Sequence, residues 1–193
     1  MDINVILFDR FTALDFVGPI EALQRIEDYD IKYYSLEGGL VSNGKGLGVD
    51  TLPFAKVQKG IILVPGGWGT RSLVNDDDFI SVLKAMVEKS VYCLSVCTGS
   101  VLLAKAGVLE EKIATSNKNA MERAQAVAPK VNWQLMARWT VDGNIYTSSG
   151  VSAGIDMALG FIADRHGKAK ALEVAKGMEY IWNEDPGIDP FAK

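Results

Sequence analysis

Residues 91–106, VYCLSVCTGSVLLAKA, decide how this chain is read. The run 91–96 is apolar and of strand length. From Thr98 to Ala106 the apolar residues take a helical spacing, and Gly107 is the expected C-cap. Cys97 stands at the junction, followed by the small residues Thr98, Gly99 and Ser100. A strand that turns sharply into a helix leaves little room, so small neighbours fit there. A Cys at that point occupies the nucleophile position of a nucleophile elbow. The helix macrodipole and free backbone N–H groups favour a thiolate at such a terminus. The competing reading is a buried structural thiol, because Cys is among the most buried residue types. Cys93, inside the strand, reads as core.

Outward from this junction the pattern alternates. Strands are expected over 4–8, 31–36, 61–64 and 113–115. Helices are expected over 14–26 with Pro19 in the first turn, and over 79–89, 119–127, 153–164 and 168–183. Residues 42–52 are Gly-rich and read as a short hairpin. Residues 133–148 read as two strands joined at Asp142-Gly143-Asn144. Asn75 and the acidic run Asp76, Asp77 and Asp78 read as the cap of the helix that follows. Alternating strands and helices indicate an α/β fold with a mostly parallel sheet covered on both faces. Ligands bind such sheets at the carboxyl ends of the strands, so the loops after Phe8, Val64 and Val96 matter most.

Composition narrows the chemistry. The chain has 193 residues with one His, two Cys and a net charge of -4. One domain over 1–193 is expected, burying roughly 70% of its unfolded surface. One His excludes a multi-His zinc site, and two Cys exclude a disulfide-rich scaffold. The acidic balance shows no basic footprint for nucleic acid. Residues 1–8 lack the basic start of a signal peptide, and no apolar run approaches the roughly 18 residues of a membrane span. The expected setting is the cytoplasm with reduced thiols, the expected partner a small-molecule substrate, and no metal or cofactor is called for.

Two further segments qualify for a site. Pro65-Gly66-Gly67-Trp68-Gly69-Thr70 follows a buried strand. It reads either as a plain turn or as backbone N–H groups of Gly66 or Gly67 forming part of an oxyanion hole with Cys97. It lacks the Gly-Lys-Ser/Thr ending of a phosphate loop. Trp68 is the one tryptophan whose loop should face the site. Asp15 lies among apolar residues, with Glu21 six positions on. Either the carboxyl group of Asp15 caps a helix, or it serves Cys97 as acid and base with its pKa raised. Glu21 is the secondary candidate. The spaced glycines Gly44, Gly46 and Gly48 lack the strand and helix of a dinucleotide motif. His166 falls at a helix C-terminus, where a cation is at home, so a Cys-His dyad is not supported.

Together these segments resemble the ThiJ/PfpI superfamily of glutamine-amidotransferase-like proteins, from Val5 to about Trp182. The matching pieces are Leu14-Asp15-Phe16-Val17-Gly18-Pro19, Val64-Pro65-Gly66-Gly67, Val96-Cys97-Thr98-Gly99-Ser100 and the segment 147–156. Within the superfamily the chain looks most like the isocyanide hydratase branch, which places Thr directly after the Cys and Asp in the first strand–helix loop. The resemblance implies a flavodoxin-like three-layer sandwich, Cys97 as nucleophile, Asp15 as its acid/base partner, and a homodimer. Thr98 stands where protease-like and glyoxalase-like relatives carry His, and its backbone N–H, with that of Gly67, is expected to stabilise charge developing at the site. Ser116-Asn117-Lys118 replaces the Thr-His-Trp of the hydratases, so Asn117 is a candidate pocket residue. The regulators of the superfamily append a helix-turn-helix domain, which is not expected here. Alternatives to hydration are a glyoxalase- or deglycase-like enzyme acting on reactive carbonyls, and an oxidative-stress sensor built on Cys97.

Overall fold

In the computed structural model, which describes residues 1–192, β1 (Asp2–Ile6) leads into α1 (Ala13–Leu23) and then β2 (Asp30–Ser35). A hairpin follows, made of β3 (Gly39–Ser42) and β4 (Gly48–Pro53), and then the apolar β5 (Ile61–Val64). Next come α2 (Thr70–Leu73), α3 (Asp77–Lys89), β6 (Tyr92–Val96) and α4 (Gly99–Lys105). The second half holds β7 (Ile113–Ala114), α5 (Met121–Val127), β8 (Asn132–Trp133), β9 (Trp139–Asp142), β10 (Ile145–Ser148), α6 (Ala153–His166) and α7 (Lys168–Gly177).

Eight strands form one sheet in the order β3-β4-β2-β1-β5-β6-β10-β9. From β4 to β10 every neighbouring pair is parallel, while the outer strands β3 and β9 run antiparallel. Helices cover both faces, as the alternating pattern predicts. All four residues of β5 are buried, which is why that strand reads as an unbroken apolar run. The chain moves from β1 to β2 on one side and later to β5 on the other. The strand order therefore reverses at β1, and the carboxyl ends of β1, β5 and β6 meet beside that point.

The helix expected from 79 begins at Asp77, and Asp76 caps it by accepting the Phe79 N–H at 3.0 Å. Cys93 is fully buried in β6. Other expectations needed correction. Pro19 lies inside α1 rather than in its first turn, because Thr12 is the N-cap and Ala13 starts the helix. The hairpin after β8 comprises only β9 and β10, since Trp133 pairs instead with Ala114 of β7 in a separate two-stranded sheet. The last helix ends at Gly177, well short of residue 183. There Glu179 takes a left-handed φ of 51° and Tyr180 turns back to Ala175 O. The chain leaves the helix because buried Asp156 captures it. Tyr180 OH and the Asn183 N–H both donate to Asp156 Oδ1, at 3.1 and 3.0 Å.

Candidate active site

Cys97 is a non-glycine residue with a φ of 57°, a conformation that L side chains rarely adopt and that costs on the order of 1–3 kcal/mol. The surroundings over-determine it. Its N–H reaches Ser148 O and Ser149 O, each at 3.2 Å. Its carbonyl accepts from Ser100 Oγ at 2.9 Å and from Ser116 Oγ at 3.0 Å. Gly99 is required by close approach, because a Cβ there would lie 2.4 Å from Val64 O. The elbow thus packs its helix directly onto the end of β5, and the side chain of Cys97 faces the cleft with 6% of the residue exposed.

Asp15, from the first turn of α1, is fully buried. Its Oδ2 accepts the Gly66 N–H at 2.9 Å, its Oδ1 has no hydrogen-bond partner, and the Cys97 thiol is close enough to act on the carboxyl group. Burial is the dominant influence on this carboxyl and raises its pKa to about 7, against the lowering effects of Gly66 and Cys97. Burial also raises the Cys97 thiol, to about 12, and the charge of Asp15 adds to that rise. Thr98 and the Asn117 amide act the other way. Asn117 Nδ2 donates to Sγ at 3.3 Å while its Oδ1 accepts the Asn119 N–H at 2.9 Å, which fixes the amide's orientation. The arrangement sets a thiol beside a buried carboxyl group, with the Asn117 amide aimed at sulfur.

Two expectations fail here. Neither glycine N–H is free for an oxyanion: that of Gly66 is taken by Asp15, and that of Gly67 donates to Thr98 Oγ1 at 3.0 Å. Of the expected donors, Thr98 remains beside sulfur, where it and the Asn117 amide, which donates to Sγ, lower the thiol's pKa. Glu21 is not brought to the site. It holds Arg25 at 2.7 Å and Gln24 at 2.6 Å, with its side chain 46% exposed. Trp68 does line the cleft, and its ring is exposed. His166 stays at the end of α6 against Tyr29 OH, at 2.8 Å.

Sequence reasoning missed Gly150, whose role lies in what it leaves empty. A Cβ on Gly150 would stand 2.2 Å from Asn117 Nδ2. Gly150→Ala is therefore expected to swing the amide off sulfur. Turnover should drop by about tenfold while the urea midpoint moves little, because the atom displaced is the end of a flexible side chain. An unchanged turnover would remove Asn117 from the working site.

Comparison with known proteins gives a consistent set of relatives. The model of the DJ-1/PfpI family matches residues 1–164. A protein of Pseudomonas putida named isonitrile hydratase is 29% identical over 187 residues, covering 93% of this chain and 78% of that protein. The transcriptional regulator CdhR of Pseudomonas aeruginosa is 28% identical over 183 residues, covering 91% of this chain and 54% of the regulator, so the chain spans about half of that protein. The crystal structure of a ThiJ/PfpI family protein from Pseudomonas syringae superposes with a TM-score of 0.80 at 26% identity, covering 98% of this chain and 78% of that one.

Proposed function

The chain belongs to the DJ-1/PfpI family, and from that premise we propose that it is a cysteine-nucleophile hydratase that adds water to an isocyanide to give an N-substituted formamide. The observation that carries this reading is the fully buried carboxyl of Asp15 beside Cys97, with one oxygen free of other partners and its pKa near 7. A general acid and base is most effective when its pKa matches the working pH. The likeness to the Pseudomonas putida isonitrile hydratase supports the substrate class.

The reaction begins with ionised Asp15 and the Cys97 thiol. The thiol proton passes to the carboxylate as sulfur attacks the terminal carbon of the isocyanide. Asp15 then returns that proton to the same carbon, giving a thioimidate bound to Cys97. Next, Asp15 takes a proton from water as the hydroxyl adds to this carbon, and then delivers that same proton to the nitrogen. As the adduct collapses and the carbon–sulfur bond breaks, the hydroxyl proton passes through Asp15 to sulfur, which releases the formamide and restores the thiol with Asp15 ionised. One isocyanide and one water give one formamide, and no cofactor enters the balance. Hydrogen bonds from Thr98 and Asn117 hold sulfur as negative charge develops on it. A second copy of the chain, as in a homodimer, and a cytoplasmic setting belong to the same proposal. No helix among the described residues is long and apolar enough to cross a membrane.

The test is formamide production from a simple alkyl isocyanide. Product is expected with the native protein and not with Cys97→Ala, and activity surviving that change would sink the proposal. The pH dependence is a second check. Below about pH 7 Asp15 is protonated and cannot accept the thiol proton, so kcat/KM should rise with pH up to a pKa of about 7 and level off above it. A profile flat from pH 5 to 8 would remove Asp15 from the proton path.

A further inference from the structure

Cys97 opens onto a cleft of about 430 Å³, and two of the side chains lining it are arginines. Arg71, from α2, lies with its guanidinium carbon 4.0 Å from the centre of the exposed Trp68 ring. Arg123, from α5, is half-buried and donates from Nη2 to Thr70 O at 3.2 Å. Among the described residues neither guanidinium has a carboxylate within 4 Å, whereas Arg25 has one and Arg138 has two. No Asp or Glu lines the cleft, and Glu122, next to Arg123 in sequence, lines a different hollow. The chain as a whole carries a net charge of -4. Two unpaired positive charges around one nucleophile therefore run against its overall sign.

Holding them there is unfavourable in the empty cleft. Burial pulls the Arg123 guanidinium down, and the charge of Arg71 adds to that. Both guanidinium groups keep hydrogen-bonding capacity. Stacking on Trp68 uses the face of Arg71 and leaves its N–H edge open, and Arg123 has donors beyond the one on Thr70. An anion between them would relieve the repulsion and accept several charge-assisted hydrogen bonds.

We propose that this cleft selects substrates carrying a carboxylate a few bonds from the carbon that Cys97 attacks, with Arg71 and Arg123 as the specificity-determining residues. For the nature of the reacting carbon this rests on the hydratase reading, while the anion preference stands on the cleft itself.

Two measurements separate these. In the first, Cys97 is alkylated with iodoacetate and, separately, with its neutral analogue iodoacetamide. In both cases sulfur displaces iodide and forms the same kind of carbon–sulfur bond, so the ratio of the two rates cancels the reactivity of the thiol. Relative to glutathione, the native protein should favour iodoacetate by about tenfold or more, an effect in the range of one charged hydrogen bond. The preference should shrink with added salt and largely disappear in Arg71→Gln/Arg123→Gln. Arg123→Lys should keep part of it, and the exposed Arg71→Gln alone should lower it with the fold undisturbed. A ratio equal to that of glutathione, or one unmoved by both substitutions, overturns the proposal. In the second, isocyanoacetate is compared with its methyl ester, and the anion should show the lower KM. If both isocyanides fail to react but the alkylation preference holds, the hydratase reading falls and the anion site stands. If the ester is hydrated as well as the acid, the hydratase reading stands and the anion site falls.

Discussion

Asp15→Asn is expected to lower formamide production by about a thousandfold and at the same time to stabilise the protein above neutral pH. The two effects share one cause. A carboxyl that is fully buried with one oxygen short of partners resists ionisation, and its pKa stands near 7 in the fold against 3.8 for a free side chain. The direction follows from proton linkage. Below about pH 4 the group is protonated in both the folded and unfolded chains, and its full contribution is present. Between 4 and 7 only the unfolded chain gives up the proton, so stability falls as pH rises. Above 7 the loss is complete and amounts to about 4 kcal/mol. Asn does not ionise and can still accept the Gly66 N–H. The variant and the native protein should therefore have similar unfolding free energies near pH 4 and diverge to about 4 kcal/mol by pH 9. Urea titrations at both pH values measure this. Parallel curves across the range would show that Asp15 carries no burial penalty in the fold.

Arg138→Ala is expected to cost about 3–5 kcal/mol of stability. Arg138 is buried beneath the C-terminal strap, with Nε 2.7 Å from Asp156 Oδ2 and Nη1 3.7 Å from Asp189 Oδ1. Both carboxylates are buried, so removing the cation leaves two charges without a counter-ion. The strap is tied to the same centre. Tyr180, Trp182 and Asn183 all bond to Asp156, and the Arg138 N–H donates to Pro186 O at 2.8 Å. The damage should therefore extend beyond the mutated side chain, with proteolysis opening residues 178–192 before the sheet unfolds. Adding Asp156→Asn and Asp189→Asn to an Arg138→Met change should recover much of the loss, because the uncompensated charges are gone. If Arg138→Ala alone lowers the unfolding free energy by less than about 1 kcal/mol in urea titrations, the network is structural ornament rather than a fastening.

The elbow was legible in the sequence because its requirements are local. A buried strand, a Cys and three small residues in a row have few other solutions, and the crowding at Gly99 shows why glycine stands there. Asp15 was legible for a different reason: a carboxyl set among apolar residues needs an explanation wherever it occurs. Glu21 shared its segment but not its surroundings, and only packing separates a fully buried position from one that lies on the helix surface holding Arg25. The two arginines of the cleft carried no signal. They come from α2 and α5, more than fifty residues apart, and nothing local marks them as neighbours.

What the sequence determined by itself is the alternation of strands and helices, the sheet's mostly parallel character, the Cys at a strand-to-helix junction and the carboxyl group set among apolar residues. These depend on periodicity, chain stiffness and burial, which act over a few residues. What only the tertiary structure decided is which polar groups each reactive atom meets. It gave the Gly66 N–H to Asp15 and the Gly67 N–H to Thr98, turned the Asn117 amide onto sulfur, and left two guanidinium groups lining the cleft with no carboxylate beside them among the described residues. Hydrogen bonds and charges form only within a few ångströms. Which groups come that close is settled when β1, β5 and β6 line up and bring distant loops together.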